Sequence, residues 1–233
     1  SITHYEKAVE MNPLDSKVIF ELDEVYEKAQ VPHSKRLAML QKYHDNVIKS
    51  NYLAPLEKEI ELYTLVGQYD KALSMMKGYH FRRWEGGANV YTSFLDANLL
   101  RGMELMKVKQ FDKALVCFNA ATEFPENMEA AKRYASDRSC EVLYFLGNCH
   151  EAMGKKKLAN ETYAKAAALR QYDGRWDIPM YYHAMALKKS GDVKEAEPIF
   201  DGIIKNSELE LSQIGVTSEI SFFAKFGERG TNE

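Results

Sequence analysis

Apolar residues along this chain recur at three- and four-residue spacing, with Glu and Lys between them and Ala, Leu and Met frequent throughout. Alternating runs of β-branched residues, which would mark half-buried strands, are missing. The pattern predicts an all-α chain. The opening stretch, ITHYEKAVEMNPLD, reads as the second helix of a hairpin. Tyr5 and Ala8 lie on one helical face, Pro13 stops the helix, and Asp15 and Ser16 supply N-cap chemistry for the next one.

Three later stretches repeat one arrangement: an alanine, an aromatic four residues on, and Ala or Ile three beyond that. The trios are Ala114/Phe118/Ala121, Ala159/Tyr163/Ala166 and Ala196/Phe200/Ile203. Upstream of each runs another helix with its own small residue, Gly102, Gly147 or Ala184. Turns near Lys109 and Gln110, Gly154 and Lys155, and Ser190 and Gly191 separate the two helices. A fainter copy surrounds Ala72, with Tyr69 before it. Residues 16–30 read as a further first helix with Leu22 and Tyr26 on its packing face.

This arrangement resembles the tetratricopeptide repeat, a helix-turn-helix of about 34 residues. The resemblance implies an all-α solenoid of antiparallel helix hairpins forming a right-handed superhelix. Small residues then sit where helices A and B press together, and the aromatic fills the hollow toward the next hairpin. One domain over residues 1–233 is expected, with repeats at 1–15 (partial), 16–52, 53–94, 95–139, 140–176, 177–206 and 207–233 (partial). Both ends fall inside a repeat, so the chain is expected to be a segment of a longer protein. The marker alanines are irregularly spaced, at 42, 45 and 37 residues from Ala72 onward. The first two full repeats are degenerate: Asp23 and Ile60 stand where a small residue is expected, and Tyr79 where alanine is.

A narrower likeness rests on NPLDSKVIFELDEVYEKAQVPHSKRLAMLQKY, RRWEGGANVYTSFLDANLLRGMELM and ALVCFNAATEFPENM. Together they resemble the C-terminal helical-repeat region of large bacterial proteins whose β-rich N-terminal domain, of unknown function, is related in fold to galactose mutarotase. That likeness implies a carbohydrate-linked context.

Composition changes the picture mainly by exclusion. A formal charge of -3 and a pI near 6.1 give no footprint for nucleic acid. No apolar run approaches the ~20 residues needed to cross a bilayer, so membrane insertion is not expected. Cys117, Cys140 and Cys149 are odd in number and lack metal-ligand spacing. They read as small packing residues in a reducing compartment, which favours the cytoplasm.

Catalytic chemistry is not expected. His4, His33, His44, His80, His150 and His183 are scattered without a metalloprotease pattern, and no nucleophile elbow, phosphate loop or dinucleotide fingerprint occurs. His150 and His183, inside apolar first helices, read as packing residues. An α/α toroid enzyme would need longer repeats and a central acidic pair. Neither a cofactor nor a metal is expected.

Binding is the function that the resemblance implies. Successive A helices of such arrays line a concave wall, and the matching positions here hold Phe20, Glu24, Glu57, Glu61, Leu99, Met103, Tyr144, Asn148, Tyr181 and Met185. Co-chaperone domains of the family grip a C-terminal carboxylate with lysine, asparagine and arginine at these positions. Only Asn148 fits that scheme, so the wall reads as an acidic lip leading to an apolar, aromatic floor that suits a protein segment. FRRWEGG and GRWDIP add a second candidate, with Arg82, Arg83, Trp84, Arg175 and Trp176 offering stacking surfaces; the tryptophans could equally plug gaps left by long loops. The expected function is a non-catalytic scaffold binding a protein or peptide through the concave face. The alternative is a structural appendage of a larger carbohydrate-related bacterial protein, packed against that protein's β-rich N-terminal domain.

Overall fold

Helix is the only repetitive structure longer than one turn among the described residues (1–50, 52–81, 90–129, 138–169 and 176–213) of this computed structural model, and no strand occurs among them. The α-helices are α1 (Ile2–Met11), α2 (Ser16–Lys28), α3 (His33–Ile48), α4 (Ala54–Leu65), α5 (Tyr69–Gly78), α6 (Val90–Lys107), α7 (Phe111–Ala120), α8 (Ser139–Ala152), α9 (Lys156–Ala168), α10 (Ile178–Ser190) and α11 (Val193–Gln213). A single 3-10 turn, Glu126–Met128, follows α7.

Local sequence explains where these helices start. Asp15 caps α2, its carboxylate accepting from the backbone N–H of Lys17 and Val18 at 3.1 and 3.3 Å. Asp177 caps α10 by accepting from the N–H of Met180 at 3.0 Å. Proline in the first turn of α4 and of α10 is tolerated because those N–H groups lack helical partners anyway.

The ends are more regular still. Helices α2, α4, α6, α8 and α10 each stop at one residue with positive φ: Gln30 (54°), Gly67 (78°), Lys109 (60°), Gly154 (75°) and Gly191 (102°). At every one of these turns the next N–H reaches back to the carbonyl five residues earlier. The bonds run from Val31 to Tyr26, Gln68 to Tyr63, Gln110 to Leu105, Lys155 to His150 and Asp192 to Leu187, all at 2.8–2.9 Å. This is the Schellman closure, which satisfies carbonyls left over at a helix end. The same A-to-B turn is thus built five times, twice without glycine.

The chain forms two compact units, residues 1–136 with 145–159, and residues 137–144 with 160–233, so α8 divides after Tyr144. In the first unit each helix from α1 to α7 packs on the next, and α2 packs on α4 and α4 on α6. Consecutive A helices therefore stand side by side. Ile19, Leu22, Leu40, Leu56, Ile60 and Met76 form the fully buried centre. At the α6–α7 seam Gly102 faces the Phe118 ring, where a Cβ would collide with it. Phe118 in turn stacks on Phe145 at 6.0 Å and 15°. The 3-10 turn is tied back to α5: Asn127 donates its side-chain amide to the carbonyls of Met76 and Tyr79, both at 2.8 Å.

The first full hairpin solves its seam differently. Asp23 on α2, where a small residue is expected, is completely buried and pairs with Arg36 on α3. In the second unit α10 packs on α11 around Ala184, Leu187 and Ala196. Tyr163 is buried there, with the Lys189 ammonium 5.4 Å from its ring centre. Helix α11 runs unbroken past residue 206, through Pro198, to Gln213.

Candidate partner-binding face

In the first unit the side-by-side packing of α2, α4 and α6 exposes one face of each A helix. On α2 this face carries Phe20, Glu24 and Glu27; on α4, Lys58 and Glu61. Phe20 meets the Tyr52 ring edge-on at 6.1 Å and 86°. Lys58 lies among three carboxylates, its Nζ 3.1 Å from Glu27, 3.4 Å from Glu24 and 3.5 Å from Glu61. Burial opposes the Lys58 charge, but Glu61, Glu27 and Glu24 outweigh it and raise its pKa. Glu27 shows the converse: burial favours its neutral form, yet Lys58 and Arg36 hold it below the usual carboxylate value. Burial, with Glu21, Glu57 and Glu24 nearby, pushes the Tyr52 phenol up.

Beside this cluster a cleft of about 290 Å³ opens between α4 and α6, lined by Lys58, Glu61, Thr64, Leu65, Thr92, Ser93 and Asp96. Leu65 is half exposed in it. The arrangement offers hydroxyls, carboxylates and one aliphatic surface. Among these lining residues no nucleophile is paired with a base.

Several residues expected on a binding wall lie elsewhere. Glu57 (4% exposed) and Leu99 (2%) are buried, which corrects their placement on the accessible wall. The reason is lateral packing: α4 is flanked by both α2 and α6, so positions facing a neighbouring A helix are covered. Tyr144 (9%) is buried too, in the second unit, against Tyr163 at 6.1 Å and Tyr182 at 5.6 Å. Phe20, Glu24, Glu61, Met103, Asn148 and Met185 are half-buried, and Tyr181 is 40% exposed. The Tyr181 ring stands edge-on to Tyr182 and Phe200 at 5.3 and 5.9 Å.

Of the loop candidates, Arg82, Arg83, Trp84 and Arg175 lie outside the described residues. Trp176 covers Gly202 of α11, where a Cβ would strike its indole ring, so this tryptophan is a packing residue.

Lys58, Glu27, Thr64, Leu65 and Asp96 do not stand out in the sequence. A signal is nonetheless present: Glu27 follows Glu24 by three residues, Lys58 and Thr64 lie three either side of Glu61, and Asp96 precedes Leu99 by three. That spacing places each on a helical face with an identified position.

Other chemistry-bearing groups are absorbed by packing. Cys140 donates to the Ala166 carbonyl at 3.3 Å and Cys149 to that of Phe111 at 3.4 Å. Burial raises the Cys117 and Cys149 thiols, which keeps them protonated. His150 and His183 are buried in α8 and α10. Among the described residues no group of three or more His, Cys, Asp or Glu is placed to hold a metal ion. No described helix is long and apolar enough to cross a membrane.

Comparison with known proteins gives this geometry a context. A family model described as the tetratricopeptide repeat matches residues 141–173, which take in most of α8 and all of α9. Among solved structures, BtubC (BKLC) from P. vanneervenii is similar at a TM-score of 0.51 and 14% identity, over 100% of this chain and 91% of that one. A putative kinesin light chain from Podosopora anserina with nearly identical TPR-like repeats follows at 0.45 and 14%, over 83% and 95%. YrrB, a TPR protein with an unusual peptide-binding site, aligns at 0.43 and 16%, over 88% and 93%. The chain, all-helical among its described residues, has the tetratricopeptide-repeat fold, and residues 141–173 match the model of one such repeat.

Proposed function

We propose that the chain is a non-catalytic scaffold that holds a segment of protein, from another chain or from its own polypeptide, on the accessible face of its A helices. One observation supports this above others: the cleft between α4 and α6, whose Glu61, Leu65 and Thr92 keep exposed surface beside each other. Hairpin arrays commonly bind through this wall, because collinear helices present many side chains to one extended ligand. In the second unit, taken by itself, Tyr181 and Met185 offer the corresponding surface on α10. Phe20, Glu24, Glu61 and Met103 are assigned to the first unit's face, and Asn148 to the accessible side of α8.

A photo-crosslinking residue at Thr92 tests this. In extract from cells expressing the protein, Thr92 crosslinks the partner that the intact chain retains. A crosslinker at Val116, exposed on the B helix α7, does not. Capture from Val116 and none from Thr92 would move the working surface to the B helices.

A further inference from the structure

We infer that the first unit carries a second docking surface, at the turns joining α6 to α7 and α8 to α9, which takes a short acidic stretch of protein. This surface is separate from the A-helix face. The two turns meet closely. Cys149 of α8 donates to the Phe111 carbonyl at 3.4 Å. Met153 closes one side of a shallow cleft of about 480 Å³, otherwise lined by Lys109, Gln110, Phe111, Asp112 and Lys113. Burial raises the Cys149 thiol, Asp112 adds to that and Lys155 opposes it, so charges from both turns reach one sulfur.

Charge gives the first support. Residues 107–113 and 153–157 hold Lys107, Lys109, Lys113, Lys155, Lys156 and Lys157 against a single carboxylate, Asp112, in a chain whose formal charge is -3. All of these lysines are exposed. Among the described residues, none of them forms an ion pair with a carboxylate. Of the acids just outside these stretches, Glu104 faces Arg101 at 3.6 Å and Glu151 lies on α8. Like charges gathered on one edge repel each other, and carboxylates from a partner relieve that repulsion.

The second support is where these lysines stand on their helices. The start of a helix carries partial positive charge and favours carboxylates, while its end favours cations. Lys107, in the last turn of α6, is explained by its own helix. Lys156 and Lys157 are not: they open α9, whose first turn holds no acid. Lys113 stands near the start of α7, where Gln110 makes no side-chain cap bond. Lys109 occupies a left-handed turn position, φ 60°, that glycine fills at Gly67, Gly154 and Gly191. Local helix stability therefore does not account for Lys109, Lys113, Lys156 or Lys157, and an acidic partner supplies the carboxylates that these helix starts lack. Val108, 62% exposed, and Leu158, 41% exposed, lie among the lysines. With Met153 they give a partner's apolar side chains something to cover, which a phosphate polymer does not offer in return.

The test uses the full chain and labelled peptides of repeated Glu-Glu-Leu, Gln-Gln-Leu and Lys-Lys-Leu, followed by fluorescence anisotropy. The Glu-Glu-Leu peptide binds, and binding weakens as salt is raised. Lys109→Gln with Lys113→Gln weakens it by about tenfold or more, and so does Lys156→Gln with Lys157→Gln. The control pair Lys7→Gln with Lys205→Gln, equal in net charge but on exposed positions of α1 and α11, leaves binding within about twofold. Asp112→Asn, which removes the cleft's own carboxylate, tightens binding. Met153→Glu, which sets a fixed carboxylate among the lysines, weakens it. Equal weakening by the turn pairs and the control pair would reduce the effect to net charge and overturn the inference. Preference for the Gln-Gln-Leu or Lys-Lys-Leu peptide overturns it too, as does binding of no peptide. Retention of the chain on phosphatidylserine vesicles or on oligo-deoxythymidine, with no binding of Glu-Glu-Leu, would overturn the protein partner. The Thr92 crosslink decides the A-helix face separately from each of these outcomes.

Discussion

Arg36 grips Asp23 through two parallel hydrogen bonds, Nε to Oδ1 at 2.9 Å and Nη2 to Oδ2 at 2.7 Å, in the seam between α2 and α3. The Asp23 side chain is fully buried and that of Arg36 is 3% exposed. Removing Asp23 leaves the buried Arg36 charge with only the partly exposed Glu27, 3.3 Å away, whereas replacing both Asp23 and Arg36 with apolar groups removes the desolvation cost along with the attraction. Asp23→Ala is therefore expected to cost about 3–5 kcal/mol in urea unfolding. Asp23→Leu with Arg36→Met is expected to recover most of that loss. A single change costing under about 1 kcal/mol would mean that water reaches the pair.

Gly102 allows the opposite kind of contact. Its missing side chain admits the Phe118 ring, so a Cβ there must displace a large, fully buried aromatic. Gly102→Ala should destabilise by about 1–3 kcal/mol, as overpacking generally does. Gly78→Ala, at the end of α5 with no atom within 4 Å of the new Cβ, should change stability by no more than about 0.5 kcal/mol. Thermal melts of the two variants distinguish a seam position from a bland one.

These seams show how far the chain could be read from its residues. The repeated trios located the helices and the all-α fold, because an alanine, an aromatic and a further small residue on one face are what close packing of two hairpins requires. Phe118 on Phe145 and buried Tyr163 bear that out. The first full hairpin was harder to read, since a buried aspartate has no local sequence signal and its partner Arg36 lies thirteen residues away. The face was legible only in part. Periodicity places Glu57 and Leu99 on a helix side but does not tell which neighbouring helix covers that side. Glu57 and Leu99 are buried for that reason, while Lys58 and Asp96 line the cleft.

Backbone conformation can be tested apart from packing at the hairpin turns. Gly154 has φ of 75°, and a Cβ added there would meet no atom within 4 Å, so space is not what requires glycine. Gly154→Ala should still cost about 1 kcal/mol, since L-residues with a Cβ are strained in the left-handed region. Gly154→Asn should cost less, because asparagine tolerates that region better. Lys109 holds the equivalent place with φ of 60°, and Lys109→Gly relieves the same strain at some cost in unfolded-chain entropy. Urea midpoints that leave Gly154→Ala indistinguishable from the parent would contradict the turn geometry.

Alkaline pH offers a test in the second unit. Burial, then Glu141, Tyr181 and Tyr144, push the Tyr182 phenol from 10.0 up to about 12, with Arg138 opposing. The folded state therefore holds this proton more tightly than the unfolded one. That contribution to stability is complete below about pH 10 and declines as the pH rises toward 12. Tyrosinate absorbance should show a late-titrating phenol that Tyr182→Phe removes, together with a shallower alkaline loss of stability. Tyr26 adds to the same trend, its pKa raised by burial and by donation to Glu6 at 2.6 Å.

The five A-helix endings also govern where the chain can change length. Inside a hairpin, one left-handed residue and one five-residue hydrogen bond set the phase between helices A and B. An extra residue there would rotate helix B by about 100° and carry its seam residues off the partner. The A-to-B turns keep one length, while the marker alanines are 42, 45 and 37 residues apart. Insertions are thus confined to the joints between hairpins. A new loop can be grafted at those joints, whereas the A-to-B turns tolerate substitution but not growth.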